Sequence, residues 1–468
     1  MVSGFPSKMR LWLQTGMILI AGALYSLATP PFQVSDEFNH FLRVVQIASG
    51  GWIPEKTLNQ GKPATGGTLP ANLERAMTPF RNLPFHVNVK TSPRILEQAD
   101  RDAGALSLDS PDRRFYPFPN TSLYSPAPYL SQSLGLKLGA ASGFRVLESY
   151  YLARLFGILA STVMIACALA LFRKNPRESW LIFALSFTPM FLTQMQSLSA
   201  DGFTNAISFL VLALIARLLK EWDLRLYRCL LVAIPVLVLC KSAYFPIALT
   251  ALVPLYKHRR GKDFGSRAVA TGAVCFLPLA IWSWLSRDLY VPYQEVVTIP
   301  IDSKAQLHFI LEHPFRYAGI LIYSLLHRLP QFTGECIGRL GWLETMLSPV
   351  IRIYWFGMLC FFSLTRLDSE AVDPYKSCRL PFFAAMLASI AIIFTFLYLT
   401  WNALGASEIG GAQGRYFIPL SPLIALFFPF FIRFTNTSLH RKLTFAAIIL
   451  CFLAQARALH TVHTRYWE

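Results

Sequence analysis

The sequence predicts an all-α polytopic membrane protein with about eleven spans and one large segment outside the membrane between the first two spans. Of its 468 residues, 54% are hydrophobic and only 15% are charged, whereas soluble proteins carry about 25% charged residues. The charges gather in short clusters, and the apolar stretches between them have the ~17–25 residues that cross a bilayer. Backbone polar groups must be paired internally in lipid, so we expect these stretches to be helices.

Two other classes fit the composition less well. Transmembrane strands require alternating polar and apolar residues, and the apolar runs show no such alternation. The net charge of +17 suggests nucleic-acid binding at first sight. The basic residues, however, lie at the ends of the apolar runs, as the positive-inside rule predicts for cytoplasmic turns.

The first apolar run, residues 11–28, follows Lys8 and Arg10. This order predicts a cytoplasmic N-terminus and an outward-running first helix. A cleaved signal peptide is the alternative. The run is long for that and lacks a clear small-x-small cleavage site, so we interpret it as an uncleaved span.

The remaining basic clusters fix the predicted topology. They lie at residues 173–177, 220–228, 257–267, 366–379 and 433–442, and we assign them all to the cytoplasm. The spans between them are predicted at 151–172, 180–197, 203–219, 268–285, 350–364, 381–399, 416–432 and 443–459. Residues 229–256 are interrupted by Lys241 and Pro246, and we interpret them as a hairpin of two short or broken helices. The placement of the apolar helix at 314–330 stays open.

The chain therefore divides into a first transmembrane helix, an external segment and a multi-span domain. These comprise residues 1–29, 30–149 and 150–468, with further external loops near 287–347 and 400–415. Residues 30–149, here called the first-loop segment, are rich in Pro, Asn, Gly and Ser. Much of this segment is expected to be irregular.

The first candidate for chemistry follows directly on the first span. After Pro30 and Pro31, which end the helix, comes a run with Asp36, Glu37 and His40. One interpretation is an amphipathic helix that is capped by Ser35 and has Asp36 and Glu37 in its first turn. The other is a partly desolvated carboxylate at the membrane surface that accepts a proton from a sugar hydroxyl.

Two cations stand out because their positions are unusual. Arg415 follows a glycine-rich turn on the predicted external side, against the charge bias, where its guanidinium and the backbone amides suit phosphate oxygens. Snorkelling to lipid headgroups is its alternative explanation. Lys241 interrupts an apolar stretch, and ionisable residues within membranes are functional candidates.

Five short motifs, in this order, resemble a bacterial multi-pass membrane family labelled only as a domain of unknown function. They are P-P-x-x-x-S-D-E-x-x-H-F-x-R, Y-S-P-x-P-Y-L, S-x-S-A-D-x-x-x-N-A, G-x-L-G-W-L-E and Q-G-R-Y-F-I-P, and they extend from residue 30 to residue 419. The acidic pair after the first span and the long external loop also resemble the GT-C class of glycosyltransferases, which use polyprenyl-phosphate-linked sugars. The W-W-D-Y-G block of oligosaccharyltransferases is not found in the sequence.

The resemblance implies a GT-C-like helix bundle that transfers a sugar, with inversion, at the periplasmic face of a bacterial inner membrane. Asp36 would be the catalytic base, with Glu37 as the alternate. The expected phosphate-binding residues are Arg415, Lys241 and Arg43. The expected substrate-contacting residues are His40, Tyr124, Tyr129, Asp201, Gln413 and Tyr416. The acceptor would be a cell-envelope glycan or a lipid-linked acceptor.

Two other functions remain open, a transporter or flippase of lipid-linked sugars and a non-catalytic scaffold for envelope assembly. The sequence identifies no cofactor. A divalent metal bound by Asp36 and Glu37 is an option, but the sequence offers no further ligands for it. The enzyme hypothesis requires Asp36 and Arg415 to lie close together, although 379 positions separate them in the chain.

Overall fold

The computed structural model describes residues 7–259, 263–292, 300–367, 375–427, 432–434 and 436–467. Parts of the basic turns predicted at 257–267, 366–379 and 433–442 lie outside the described residues. The same holds for parts of the span predicted at 416–432 and the loop predicted at 287–347.

The structure is mostly helical, as predicted. The helices are α1 (Ser7–Ala28), α2 (Glu37–Ala48), α3 (Leu73–Met77), α4 (Pro93–Ala103), α5 (Leu130–Ala141), α6 (Val146–Leu171), α7 (Pro176–Ser186), α8 (Pro189–Gln196), α9 (Ala200–Lys220), α10 (Leu224–Cys240), α11 (Phe245–Leu249), α12 (Leu252–Lys257), α13 (Phe264–Leu285), α14 (Ser303–Glu312), α15 (Pro314–His327), α16 (Leu329–Gly338), α17 (Pro349–Leu364), α18 (Arg379–Trp401), α19 (Ser421–Phe427) and α20 (Thr437–Tyr466).

Within the described part of the chain, six helices are long and apolar enough to cross a membrane. They are α1, α6, α9, α13, α18 with its preceding turn (Lys376–Trp401) and most of α20 (Ser438–Tyr466). Each has at least 21 residues, and at 1.5 Å per residue this exceeds 30 Å. The chain is therefore an α-helical membrane protein.

Several of the remaining predicted spans consist of shorter helices. The stretch 180–197 is divided into α7 and α8, because Thr188 caps α8 through its side chain and Pro189 begins it. In 229–256, α10 ends at Cys240 and the short helices α11 and α12 follow. The predicted interruption at Lys241 is confirmed.

The first-loop segment is more regular than its composition indicated. Besides α2–α5 it contains an antiparallel sheet in the order β1 (Glu55–Asn59), β2 (Lys62–Pro70) and β3 (Arg113–Pro117). Gly66 lies in the centre of this sheet, where a side chain would overlap the Tyr116 carbonyl, so glycine is required by the close approach of β3. Two further pairs of short strands are described: β4 (Arg339–Leu340) with β5 (Thr345–Met346), and β6 (Thr365–Leu367) with β7 (Ile432–Phe434).

The segment has a hydrophobic core of its own, which continues into the helix bundle. Phe41, Leu73, Phe80 and Tyr116 are almost fully buried in it. Tyr150 in the first turns of α6 belongs to the same cluster. The first-loop segment thus packs against the ends of the bundle helices.

The two ends of the bundle differ in charge. At one end, here called the basic end, Arg10 donates a hydrogen bond to the Arg173 carbonyl at 2.5 Å. Lys257 donates to the Leu219 carbonyl at 2.9 Å. The opposite end carries the first-loop segment, and it gathers the predicted site residues.

Candidate functional site

Asp36 lies in a strained turn at the start of α2. Its φ angle is 65°, in the left-handed region that non-glycine residues seldom occupy. Asp36 is the N-cap residue of α2, yet its carboxylate oxygens are engaged elsewhere. Oδ1 accepts a hydrogen bond from Asn120 at 3.1 Å, and Oδ2 accepts one from Arg415 Nη2 at 2.8 Å. The prediction that Ser35 caps this helix is therefore wrong, because Asp36 occupies the N-cap position and the Ser35 hydroxyl donates to the Gly341 carbonyl instead.

Arg415 is the second residue of a 3-10 helix, Gly414–Leu420, that leads into α19. Its side chain is 3% exposed, whereas that of Asp36 is 33% exposed. The guanidinium also donates to the Gln413 side chain at 2.6 Å and contacts the Ser35 carbonyl at 3.5 Å. This network fixes the cation, while one side of its acidic partner remains open to solvent.

A second ion pair adjoins the first. Lys241, at the C-terminus of α10, binds Asp201, in the first turn of α9. Each charge lies at the helix terminus whose dipole favours it. Asp201 also lies 3.5 Å from Arg415. The four residues Asp36, Arg415, Asp201 and Lys241 thus form a continuous row of alternating charges, here called the charge row.

Aromatic rings flank the charge row. The ammonium of Lys241 lies 5.4 Å from the ring centre of Tyr124 and 5.2 Å from that of Tyr416. Arg415 lies 5.4 Å from the same Tyr416 ring. Such distances are typical of cation–π contacts. Of the predicted substrate-contacting residues, Tyr124 therefore adjoins Lys241, and Tyr416 adjoins both cations.

His40 joins the aromatic residues to the α9 terminus. Its Nδ1 lies 2.8 Å from the Tyr129 hydroxyl, and its Nε2 lies 3.5 Å from the Ser199 hydroxyl. Burial lowers the pKa of His40 to about 4, because desolvation disfavours the charged ring. His40 is therefore neutral near pH 7. Burial also raises the pKa of Tyr129 well above its ordinary value, so this hydroxyl stays protonated.

Glu37, the alternate base, has a very different environment from Asp36. It is fully buried, and its carboxylate lies 3.0 Å from Arg154. It also accepts hydrogen bonds from the Tyr150 hydroxyl at 2.7 Å and from the Leu198 amide at 3.0 Å. These contacts join α2, α6 and the α8–α9 turn, which favours a structural role for Glu37.

Arg43, which was predicted to bind phosphate, forms its hydrogen bonds within the first-loop segment. Its guanidinium donates to the Gln46 side chain at 2.5 Å, the Trp52 carbonyl at 2.8 Å and the Tyr124 carbonyl at 3.3 Å. Burial lowers its pKa to about 10. This geometry favours a role in fixing Tyr124.

Some residues at the site went unnoticed in the sequence. Arg154 lies within a predicted span, and an ionisable residue there is a signal that could have identified it. Asn120 resembled only a chance glycosylation sequon, and nothing in the sequence linked it to Asp36. Glu335, which accepts a hydrogen bond from the Gly414 amide at 2.7 Å, carried no signal.

The described residues contain no group of three or more His, Cys, Asp or Glu side chains placed to hold a metal ion. The carboxylates of Asp36 and Glu37 face different partners, Arg415 and Arg154. The charge row can therefore offer two kinds of interaction, proton acceptance at Asp36 and anion binding at Arg415 and Lys241.

Comparison with known proteins identifies the family of this chain. No curated protein and no solved structure matches it. Residues 19–424 match a family described as "predicted membrane protein (DUF2142)". The match includes all four members of the charge row and covers most of the chain. The protein thus belongs to this family of predicted membrane proteins.

Proposed function

We propose that the protein is a GT-C-type glycosyltransferase that moves a sugar from a polyprenyl-phosphate donor to a cell-envelope glycan or lipid-linked acceptor. The observation that carries the proposal is the contact between Arg415 and the partly exposed carboxylate of Asp36, 2.8 Å apart. It brings a proton acceptor and a fixed cation to one place, at the end of a membrane helix bundle. Sugar transfer from a lipid phosphate requires both.

The proposed reaction is a single inverting displacement. The acceptor hydroxyl oxygen forms a bond to the anomeric carbon while the bond from that carbon to the phosphate oxygen breaks. The hydroxyl proton passes to Asp36, and the electron pair of the broken bond leaves with the polyprenyl phosphate. Arg415 and Lys241 stabilise the charge that develops on this leaving group.

Substrate binding must rearrange the charge row, because both cations are paired with carboxylates. A phosphate that takes up hydrogen bonds from Arg415 competes with Asp36 for the guanidinium. Its binding would release the carboxylate to act as base. Tyr124 and Tyr416, which flank Lys241, offer ring faces to the sugar or to the first isoprenoid unit.

The charge distribution supports the topology that we propose. The basic end would face the cytoplasm, with the N-terminus, and the charge row would face the periplasm of a bacterial inner membrane. About eleven spans in a GT-C-like arrangement would include the shorter helices between α6 and α19. Reporter fusions in the turns at either end would test this orientation.

The test is transfer by the purified protein in liposomes, with labelled polyprenyl-phosphate sugars and a panel of envelope glycans. Asp36→Asn should lower the rate by about 10²–10⁴, the usual contribution of a general base, with an unchanged unfolding temperature. Asp109→Asn is the matched control, since Asp109 is an exposed carboxylate of the same first-loop segment. Full transfer by Asp36→Asn would remove Asp36 from the proposed role.

A transporter or flippase of lipid-linked sugars is the second candidate. It is favoured by the break of α10 at Lys241, because interrupted helices with termini facing a central site are typical of transporters. The same liposomes separate the two functions. Movement of the donor lipid across the bilayer without a new glycosidic bond would support the transporter and contradict the transferase.

A further inference from the structure

The segment from α16 to the β4–β5 hairpin, residues 329–347, contacts the backbone on both sides of the Asp36–Arg415 pair. This segment, here called the clamp segment, includes the G-x-L-G-W-L-E motif, to which the proposed function gives no role. Its helix reaches the turn before Arg415, and its hairpin reaches the turn before Asp36.

On the Arg415 side, the clamp segment forms hydrogen bonds with both the backbone amide and the backbone carbonyl of Gly414. The Gly414 amide donates to Glu335 Oε2 at 2.7 Å, and the Gly414 carbonyl accepts from the Cys336 thiol at 2.8 Å. A side chain at position 414 would overlap the Phe332 carbonyl oxygen, so the turn is pressed against α16. Burial raises the pKa of Cys336 to about 12, which keeps the thiol protonated as a donor.

Glu335 is itself held rigidly. Its side chain is 2% exposed, and Oε1 accepts from Arg339 at 3.1 Å and from Gln331 at 2.6 Å. Because Oε1 is occupied by these two donors, Oε2 is the oxygen that accepts the hydrogen bond from the Gly414 amide. Arg415 follows directly, so its backbone position depends on Glu335.

On the Asp36 side, the hairpin holds the strained turn. The Ser35 hydroxyl donates to the Gly341 carbonyl at 3.2 Å, and Trp342 Nε1 donates to the Phe32 carbonyl at 3.0 Å. Phe32 and Asp36 both have φ angles near 65°. Such conformations persist where surrounding contacts enforce them, and the clamp segment supplies two of these contacts.

The two halves are joined by a short rigid connection. The Leu347 amide donates to the Gly338 carbonyl at 2.9 Å, where the helix passes into the hairpin. Arg339 and Leu340 pair with Met346 and Thr345. The end of the helix and the hairpin are thus hydrogen-bonded to each other.

We propose that the clamp segment positions Asp36 and Arg415 relative to each other, with Glu335 as the positioning residue for Arg415 and Trp342 as the positioning residue for the Asp36 turn. This inference rests on the proposed function in one respect: the anion that Arg415 binds is taken to be the donor phosphate. The backbone positioning itself is independent of that function.

The first test is hydrogen exchange of the full chain in nanodiscs, followed in peptides that cover residues 411–417 and 32–41. Glu335→Ala should speed exchange in 411–417. Glu335→Gln keeps one acceptor oxygen for the Gly414 amide but turns an NH2 group towards Arg339 and Gln331, so it should speed exchange less than the alanine variant does. Trp342→Phe keeps an aromatic ring at this position but removes the N–H donor together with the five-membered ring that carries it. It should speed exchange in 32–41 and leave 411–417 unchanged.

The second test is the affinity for a polyprenyl phosphate, measured by native mass spectrometry on the same samples. Glu335→Ala should weaken binding about tenfold, a change that corresponds to ~1.4 kcal/mol, and Glu335→Gln should weaken it less. Glu97→Ala, at an exposed carboxylate of α4, is the matched control. Rescue by the glutamine variant distinguishes positioning from a general loss of stability.

The outcomes separate the inference from the proposed function. If wild type binds no polyprenyl phosphate, the proposed donor is wrong, and hydrogen exchange still decides the positioning role. If Glu335→Ala leaves both the protection of 411–417 and the affinity at wild-type levels, the inference is overturned. If Glu335→Ala does not fold, Cys336→Ala and Trp342→Phe replace it, and unchanged exchange in both of these variants also overturns the inference.

Discussion

Glu37 and Arg154 form an ion pair in which both side chains are fully buried, 3.0 Å apart. Next to Glu37 in the chain, Asp36 pairs with Arg415 at a partly exposed position. The two adjacent carboxylates therefore have separable roles. One joins the first-loop segment to the bundle, and the other is available for chemistry.

Glu37→Gln should destabilise the protein severely. It leaves the guanidinium of Arg154 buried without its counter-charge, and breaking a buried pair in this way costs about 3–5 kcal/mol. The expected result is a large fall in the unfolding temperature in detergent, with Asp36→Asn as the comparison that retains stability. Equal unfolding temperatures for the two variants would show that the buried pair is not a structural link.

Arg415→Lys should weaken binding of a polyprenyl phosphate about tenfold or more, equivalent to ~1.4 kcal/mol. Arg415 uses three nitrogens on partners that include Gln413, Asp36 and Asp201, and a lysine cannot reproduce that planar fork. Binding would be measured on protein in nanodiscs. Arg101→Lys, at an exposed position, is the control. Wild-type affinity in Arg415→Lys would indicate that the charge suffices without the fork.

Gly414→Ala should disturb the site, whereas Gly319→Ala should not. A side chain at position 414 would overlap the Phe332 carbonyl oxygen, while a side chain at 319 meets open space. The turn that carries Arg415 must then move away from α16. We expect a lower transfer rate and weaker phosphate binding for Gly414→Ala alone. If both variants behave like wild type, the close packing at 414 has no influence on Arg415.

The stability of the protein should fall as the pH decreases from about 6.5 to about 4. Burial lowers the pKa of His40 to about 4, while an unfolded chain has a His pKa near 6.5. The unfolded state therefore binds the proton first in this window, and acid favours unfolding. The effect amounts to at most about 3 kcal/mol for these two pKa values.

Unfolding temperatures of wild type and His40→Gln, measured across this pH range, test the assignment. Glutamine offers a donor and an acceptor to Tyr129 and Ser199 without a titrating group. The variant should lose less stability on acidification than wild type. An identical pH profile in the two proteins would show that His40 is not the source of the acid sensitivity.

The long helices were predictable because hydrophobic length is a strong signal. The apolar runs at 11–28, 151–172 and 203–219 correspond to α1, α6 and α9. The sheet of the first-loop segment was not predicted. Its strands, such as Glu55–Asn59, are mostly exposed and lack the apolar alternation that identifies a half-buried strand.

The sequence identified several residues of the site, but it did not show which of them contact each other. An arginine on the predicted external side and a carboxylate after the first span were each conspicuous, and they lie 2.8 Å apart. The distinction between Asp36 and Glu37 depends on a left-handed turn and on Arg154. Neither is visible in the residue types of the motif, because tertiary contacts decide which carboxylate is buried.

The final turn of α20 packs onto the first-loop segment, with consequences for how the chain is assembled. The Thr91 amide donates to the Tyr466 carbonyl at 2.8 Å, and Arg465 donates to the Leu83 carbonyl at 2.7 Å. Trp467 donates to the Ala28 carbonyl at the end of α1. A ribosome makes residues 83–91 long before residues 465–467, so these contacts can form only after the last helix has been synthesised. A truncation that removes residue 465 onward would delete all three contacts and leave the Leu83 and Ala28 carbonyls and the Thr91 amide without these partners.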